Sequence, residues 1–477
     1  MNEFIPHIID GREEESASGA RFNTVDPWTR TAYADVALGG AEDASRAVAA
    51  ARRAFDDGPW PRMGFAERGA LLHRLADLIT EHADELALAD TRDMGKPISD
   101  ARGKDVPRTA QNFRFFADHA RLSTGQLLPM DSGHHAYTLF QPAGVVAAIA
   151  PWNFPLMLES WKVAPALAWG NTVVLKPAED TPASATIMAR LALEAGLPSG
   201  VINVVHGYGP DSAGAALTEH PDVDRVTFTG ESGTGRAIAR AAGANLTPVS
   251  LELGGKGANI VFEDAELDNA VDWSIRAIFS NAGQVCLAGS RLYVQRGVFE
   301  EFVARFVRAA ESMVLGDPKD PATQLGPLAS EEHYKKVRGF VEDVQAGMGR
   351  LVTGGFDADG WIVRPCVVLD APLDSRVVCD EIFGPVVTVH PFDTEDEAVV
   401  LANNSRYGLN AMVFTENLSR AHRVSAALRA GTVWVNCFFV RDLRAPFGGV
   451  GDSGLGREGG DFSRDLFTEP KAVVIQV

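Results

Sequence analysis

Cysteine is scarce in this chain. Four occur in 477 residues (Cys286, Cys366, Cys379 and Cys437), with no CxxC pair and no zinc-ligand spacing. Neither a disulfide framework nor a structural metal site is therefore indicated. Eleven histidines include no HExxH, so no catalytic metal is expected either. Positive charge is also short: Lys and Arg total 44 against 63 Asp and Glu, a formal net charge of −19. Without a clustered basic stripe to follow a phosphate backbone, nucleic acid is excluded as a general partner and a small molecule is expected. No apolar run reaches the roughly 18 to 20 residues that a membrane helix needs. The opening MNEFIPHIIDGREEES has no basic segment followed by an apolar one, and a cytoplasmic enzyme is the expectation.

What is present is an ordinary globular composition, 46% hydrophobic and 22% charged, long enough for two or three domains. Asp43 to Phe55 carries Val48, Ala51 and Phe55 at helical spacing, and Leu71, Leu72, Leu75, Leu78, Ile79 and Leu86 continue the rhythm through one longer helix. From Gly144 onward, short β-rich runs (VVAAIA, TVVLKP, VINVV, RVTFTG) alternate with helical stretches such as Ala183 to Ala195 and Gly235 to Ala244. Strands separated by helices of this length form parallel βαβ units, whose ligands lie at the carboxyl ends of the strands. A second alternating series runs from about Asn259 to Asn436 through VRPCVVL, GPVVTVHPF, AMVFT and TVWVN. Ser123 to Phe140 and the terminal KAVVIQV fit neither series. Both read as extended, and the sticky edge of the second suits pairing with another subunit.

Several glycine-rich turns compete for attention. GYGPDSAG (Gly207 to Gly214) and TGESGTG (Thr229 to Gly235) each follow a strand and open a helix, a place where free N–H groups and the helix dipole favour an anion. Neither matches GxGxxG, and each is equally compatible with a plain strand-to-helix turn. LELGGKGAN is not a P-loop, because Ser250 stands where the first glycine of GxxxxGK[ST] belongs and Gly257 follows Lys256. GDSGLG is not a nucleophile elbow, since Leu455 occupies the last glycine place of GxSxG. Cys286, in SNAGQVCLAGSR, can be combined with other parts. A thiolate attacking a carbonyl needs a base and oxyanion donors. Glu252 is costly to bury beside Val249, Leu251 and Leu253 without a purpose, and Asn153 sits in the unusual PWNFP. The residues alone leave open a filler cysteine, a paired structural glutamate and a turn asparagine.

PWNFP, KPAE (Lys176 to Glu179), FTG (Phe228 to Gly230), LELGGK, FSNAGQVC, EIFGP and PFGG (Pro446 to Gly449) follow one another in the order seen in the aldehyde dehydrogenase superfamily. The resemblance covers essentially the whole chain. It implies an α/β fold: a Rossmann-like NAD-binding domain from residues 1–122 and 143–253, a second α/β catalytic domain from 254–452, and a small β oligomerisation arm from 123–142 and 453–477. A homodimer or homotetramer is implied with it. By the same resemblance Cys286 is the nucleophile, the Asn153 amide and the Cys286 N–H hold the oxyanion, and Glu252 activates the water that hydrolyses the thioester. Lys176 and Glu179 resemble contacts to the adenosine ribose and Glu381 the contact to the nicotinamide ribose. Trp152, Gly209 and Gly230 lie where the family cradles the dinucleotide, with Phe383 beside it. A carboxylate at the ribose hydroxyls repels a 2′-phosphate, which favours NAD over NADP. Glu231 departs from the serine that most members place after FTG, and its charge near the pyrophosphate is expected to disfavour NADP further.

The stretches DVPRTAQNFRFFAD (Asp105 to Asp118) and VNCFFVRDLRAPFGG (Val435 to Gly449) resemble the branch that oxidises 2-hydroxymuconate and 2-aminomuconate semialdehydes. Such substrates carry a carboxylate at the far end of a conjugated chain, and a guanidinium clamp would orient it against the acidic global field. Arg108 and Arg441 fall on the substrate tunnel by spacing to the family motifs, with Arg114 and Arg444 in reserve. Phe154, Trp161 and Phe447 complete its apolar wall. The blander readings are an Arg441–Asp442 ion pair and a solvated Arg108. Other aldehydes, such as succinate semialdehyde or betaine aldehyde, and a catalytically retired binding protein are the rival functions.

Overall fold

The strand Val145–Ile149 lies at the centre of the first sheet in the computed structural model, which describes residues 3–357 and 359–476. Its side chains alternate between two cores. Val145, Ala147 and Ile149 join the cluster that includes Ala47, Val48 and Leu251, whereas Val146 and Ala148 join the one that includes Leu75, Phe113 and Trp161. All five residues are buried, as a strand covered by helices on both faces requires.

The chain runs outward on one side of this strand through Thr172–Lys176 and Ile202–Val204, then returns to its other side through Arg225–Thr229 and Val249–Glu252. These five strands are parallel. The reversal of strand order beside Val145–Ile149 is a topological switch point, which opens a crevice at the carboxyl ends of the strands. Trp152 and Asn153 follow one strand there and Gly230 and Glu231 the next. Short antiparallel strands complete the eight: His7–Ile9 and Arg12–Glu14 at one edge, Gly454–Leu455 at the other.

Gly254 and Gly255 carry the chain from Val249–Glu252 into Ala258–Val261 of a seven-stranded second sheet. Its order is Arg350–Phe356, Val363–Leu369, Val386–Phe392, Arg291–Gln295, Ala258–Val261, Asn410–Phe414 and Thr432–Val435, with only the first strand antiparallel to its neighbour. The largest core cluster includes side chains from both sheets, Val173 and Leu292 among them. Strand Thr468–Gln476 pairs along its length with His134–Pro142, which in turn pairs with Leu127–Leu128. These three strands form the small β arm, and Thr468–Gln476 is one of its edges.

The single long helix expected through Leu71 to Leu86 is in fact two, Phe65–Glu81 and Ala83–Met94. His82 (φ −97°, ψ 24°) is the joint. Its N–H closes the first helix on the Leu78 carbonyl, while its own carbonyl accepts from Leu86 N–H and starts the second. The leucine rhythm crosses this joint because Leu75, Leu78, Ile79 and Leu86 all pack into one core.

Candidate active site

The loop before Cys286 is built on an unusual backbone. Asn281, Ala282 and Gly283 take three successive left-handed conformations, with φ of 52°, 54° and 71°. For the two non-glycine residues this is strained and must be held from outside. Asn281 Nδ2 donates to the Asn153 carbonyl at 2.8 Å, and Asn153 Nδ2 donates back to the Gln284 carbonyl at 2.9 Å. Gln284 Nε2 donates to the Asn281 carbonyl at 3.1 Å, and the Gln284 side-chain oxygen accepts from Ala329 N–H at 2.9 Å. PWNFP and the cysteine loop are thereby fastened together, and one N–H of the Asn153 amide is left over.

Below Cys286 the chain has no space for side chains. A β-carbon on Gly255 would stand 2.3 Å from the Cys286 carbonyl oxygen, and one on Gly254 would stand 2.0 Å from Glu381 Oε2. Glu381 accepts from Gly255 N–H at 2.8 Å, so the nucleophile loop, LELGGK and EIFGP meet at one pair of glycines. Burial lifts the Glu381 carboxyl to about 7, against the Gly255 N–H, Lys336 and Lys256.

Cys286 and Glu252 share a cleft with Phe154, Trp161, Phe439, Arg441 and Phe447. Glu252 ends its strand buried, and neither carboxylate oxygen has a partner among the described residues. Burial raises its carboxyl well above the usual range; Glu458 adds to the rise, and Lys162, Arg441 and Arg457 oppose it. Glu458 is itself buried and accepts from Thr227 Oγ1 at 2.8 Å, Ser250 Oγ at 3.0 Å and Lys162 Nζ at 3.4 Å. Burial likewise pushes the Cys286 thiol up to about 12, reinforced by Glu381 and Glu252 and opposed by Arg441 and by the residue's own N–H.

Arg441 is sandwiched between two rings of the same cleft, its guanidinium carbon 4.1 Å from the Trp161 centroid and 3.9 Å from that of Phe447. Arg441 Nη2 and Trp161 Nε1 are buried donors without a partner among the described residues. Burial and the neighbouring charge of Arg108 lower the Arg441 guanidinium to about 10, so it stays charged at neutral pH. Arg108 is not among the residues lining the cleft; it is half-buried on the helix Val106–Arg121 and donates to Gln111 at 3.0 Å. Asp442 pairs with Arg444, not with Arg441, at 2.6 Å. Arg114 pairs with Asp77 at 2.7 Å, so both reserve arginines are engaged at the surface.

On the cofactor side, Lys176 Nζ is buried and donates to the Pro177 carbonyl at 3.0 Å and to Glu179 at 3.5 Å. Gly209 has nothing within 4 Å of where a β-carbon would stand, and buried Thr229 Oγ1 lacks a partner among the described residues. An open glycine edge, an unspent hydroxyl and carboxylates at both ends suit an elongated dinucleotide. Trp152 meets Phe383 edge-on at 5.3 Å and His333 at 4.9 Å. Glu231 is exposed and reaches Lys336 at 3.6 Å. Sequence reasoning missed His333, Lys336, Lys162 and Glu458. The first two lie on the amphipathic helix Glu331–Gln345, and none of the four belongs to a pattern that marks a site.

A thiol and a carboxylate share one cleft beside the crevice at the strand ends, an arrangement that suits an oxidoreductase. Residues 14–473 match the model of the aldehyde dehydrogenase family, and the chain belongs to that family. The 2-hydroxymuconic semialdehyde dehydrogenase of Pseudomonas sp. strain CF600 is 48% identical, with 99% of each chain covered. The protein of the same name from Pseudomonas putida is 44% identical, again over 99% of each. The NAD+ complex of aldehyde dehydrogenase from Bacillus cereus superposes with a TM-score of 0.98 at 43% identity, covering 100% of this chain and 97% of that one. The enzyme is NAD-dependent, and no helix among the described residues is long and apolar enough to cross a membrane.

A thiol held at about 12 is almost wholly protonated in the resting enzyme at neutral pH. Iodoacetamide alkylation of Cys286 is therefore expected to accelerate continuously from about pH 7 to about pH 10, because only the thiolate reacts. A plateau reached by about pH 8 would contradict the raised thiol pKa. Arg441→Ala, which removes the cation favouring the thiolate, should slow the reaction at every pH.

Proposed function

We propose that this enzyme oxidises a carboxylate-bearing, unsaturated semialdehyde of the 2-hydroxymuconate or 2-aminomuconate kind to the dicarboxylate. The observation that carries the reading is Arg441, a charged and incompletely partnered guanidinium clamped between Trp161 and Phe447 in the cleft that holds Cys286 and Glu252. A distal carboxylate would satisfy it, and the flat diene would lie between the aromatic walls. The two Pseudomonas relatives are named for a substrate of this class.

In this reading the Cys286 sulfur bonds to the aldehyde carbon, and the oxyanion that forms is held by the free Asn153 amide N–H and the Cys286 backbone N–H. The thiol proton passes to solvent, and Arg441 favours the thiolate that attacks. Bound NAD supplies the hydride acceptor, leaving a thioester on Cys286. Glu252 then takes the proton of the attacking water, and the carbon–sulfur bond breaks. Lys176 and Glu179 bind the adenosine ribose and Glu381 the nicotinamide ribose. Trp152, Phe383, Gly209 and Gly230 shape the groove, and Arg108 adds to the positive field around Arg441. Residues 1–122 and 143–253 form the dinucleotide-holding unit and 254–452 the catalytic one. The arm of 123–142 and 453–477 joins copies into a homodimer or homotetramer.

A panel of aldehydes followed by NADH absorbance tests the substrate. Arg441→Ala should lower kcat/KM for a carboxylated semialdehyde by about 2 to 4 kcal/mol and change a neutral aldehyde much less. Equal losses on both, or a wild-type preference for a neutral aldehyde, would refute the clamp. The base can be tested separately by pH. Because burial raises the Glu252 pKa, deacylation should rise with pH through that elevated value. Glu458→Gln removes a like charge and should move the rising limb of kcat to lower pH. An unmoved limb would remove Glu252 from that step.

A further inference from the structure

The helix Glu331–Gln345 belongs to the second-sheet half of the molecule, where it packs on Arg350–Phe356 and Val363–Leu369. From there it touches the first-sheet half at two points. In its first turn the His333 ring lies 4.9 Å from Trp152, and His333 Nε2 makes a 2.7 Å hydrogen bond to the Phe383 carbonyl. Burial drives His333 down to about 4, so it is neutral near pH 7 and donates that bond. Phe383 has a φ of 61°, a left-handed backbone that needs such a hold, and its ring packs on Trp152. One turn further on, Lys336 Nζ stands 3.6 Å from Glu231 Oε1. Glu231 caps the helix Ser232–Ala244 directly after the strand Arg225–Thr229 of the first sheet.

Trp152 and Glu231 thus follow the two adjacent strands of the switch point, where the crevice opens. His333 and Lys336 approach them from the opposite wall. The histidine end is buried and fixed, whereas the ion pair is exposed, with side chains 41% and 70% accessible. An exposed pair is weak and opens readily.

We propose that Glu231 and Lys336 form a latch across the dinucleotide cleft, anchored by His333, and that its opening sets the rate at which reduced cofactor leaves. Glu231 then acts through Lys336 as a positioning residue, and its net effect is to retain the dinucleotide despite its charge. The proposal rests on the cofactor placement given under Proposed function.

The test is the NADH dissociation rate of the full-length enzyme, read by stopped-flow fluorescence on displacement with excess NAD. Glu231→Ser should release NADH roughly two- to fivefold faster, the range expected for losing one exposed ion pair. Added salt should accelerate release from the wild type and not from Glu231→Ser. The charge-swapped double variant Glu231→Lys with Lys336→Glu should return most of the retention. An unchanged or slower release from Glu231→Ser, or no recovery in the swap, would overturn the latch. Lys176→Met separates the two levels: it should weaken NADH binding whether or not the latch exists. Unchanged binding there would instead refute the cofactor placement itself.

Discussion

Between the two sheets, three segments pass so closely that the backbone has to be bare. Gly257 leaves a β-carbon only 2.6 Å from the Ala288 carbonyl oxygen, and Gly283 only 2.2 Å from that of Gly384. Together with Gly254 and Gly255 they bring LELGGKG, the cysteine loop and EIFGP within backbone contact. Glu252, Cys286 and Glu381 owe their relative positions to this contact, because each lies within a few residues of one of these glycines. A single methyl group here would force a carbonyl or a carboxylate to move, and small displacements spoil the alignment of reacting atoms.

Charge explains much of the remaining design. The chain carries a net −19, and the cleft adds Glu252 with Glu458 behind it. The carboxylated substrate proposed above would enter against that field unless positive charge were concentrated where it binds. Arg441 supplies the charge, and flanking rings limit its hydration. The same guanidinium favours the ionised forms of Cys286 and Glu252. In the proposed reading, substrate recognition and the protonation of the catalytic groups are linked through this one side chain.

Much of the scaffold is legible in the sequence because strand and helix periods are direct consequences of burial. The runs at Val145, Thr172, Ile202 and Arg225 are strands, and their spacing identifies the parallel sheet. Local rhythm does not carry everything. His82 interrupts a helix without interrupting its leucine pattern, because both pieces feed one core. Arg441 and Arg444 are three residues apart, and only packing decides that one enters the cleft while the other pairs with Asp442. His333, Lys336, Lys162 and Glu458 escape notice for a similar reason. Each gains meaning from a partner more than a hundred residues away, such as Glu231 for Lys336 or Thr227 for Glu458.

The central claim is that Cys286 bonds covalently to the aldehyde and that Glu252 is needed to release the product. Intact-protein and peptide mass spectrometry of Glu252→Gln, mixed with NAD and a carboxylated semialdehyde and quenched in acid, tests it directly. An acyl adduct on the Cys286 peptide, accumulating while one equivalent of NADH forms, is the predicted result. NADH formation with no adduct, or an adduct on Cys366, Cys379 or Cys437 instead, would contradict it.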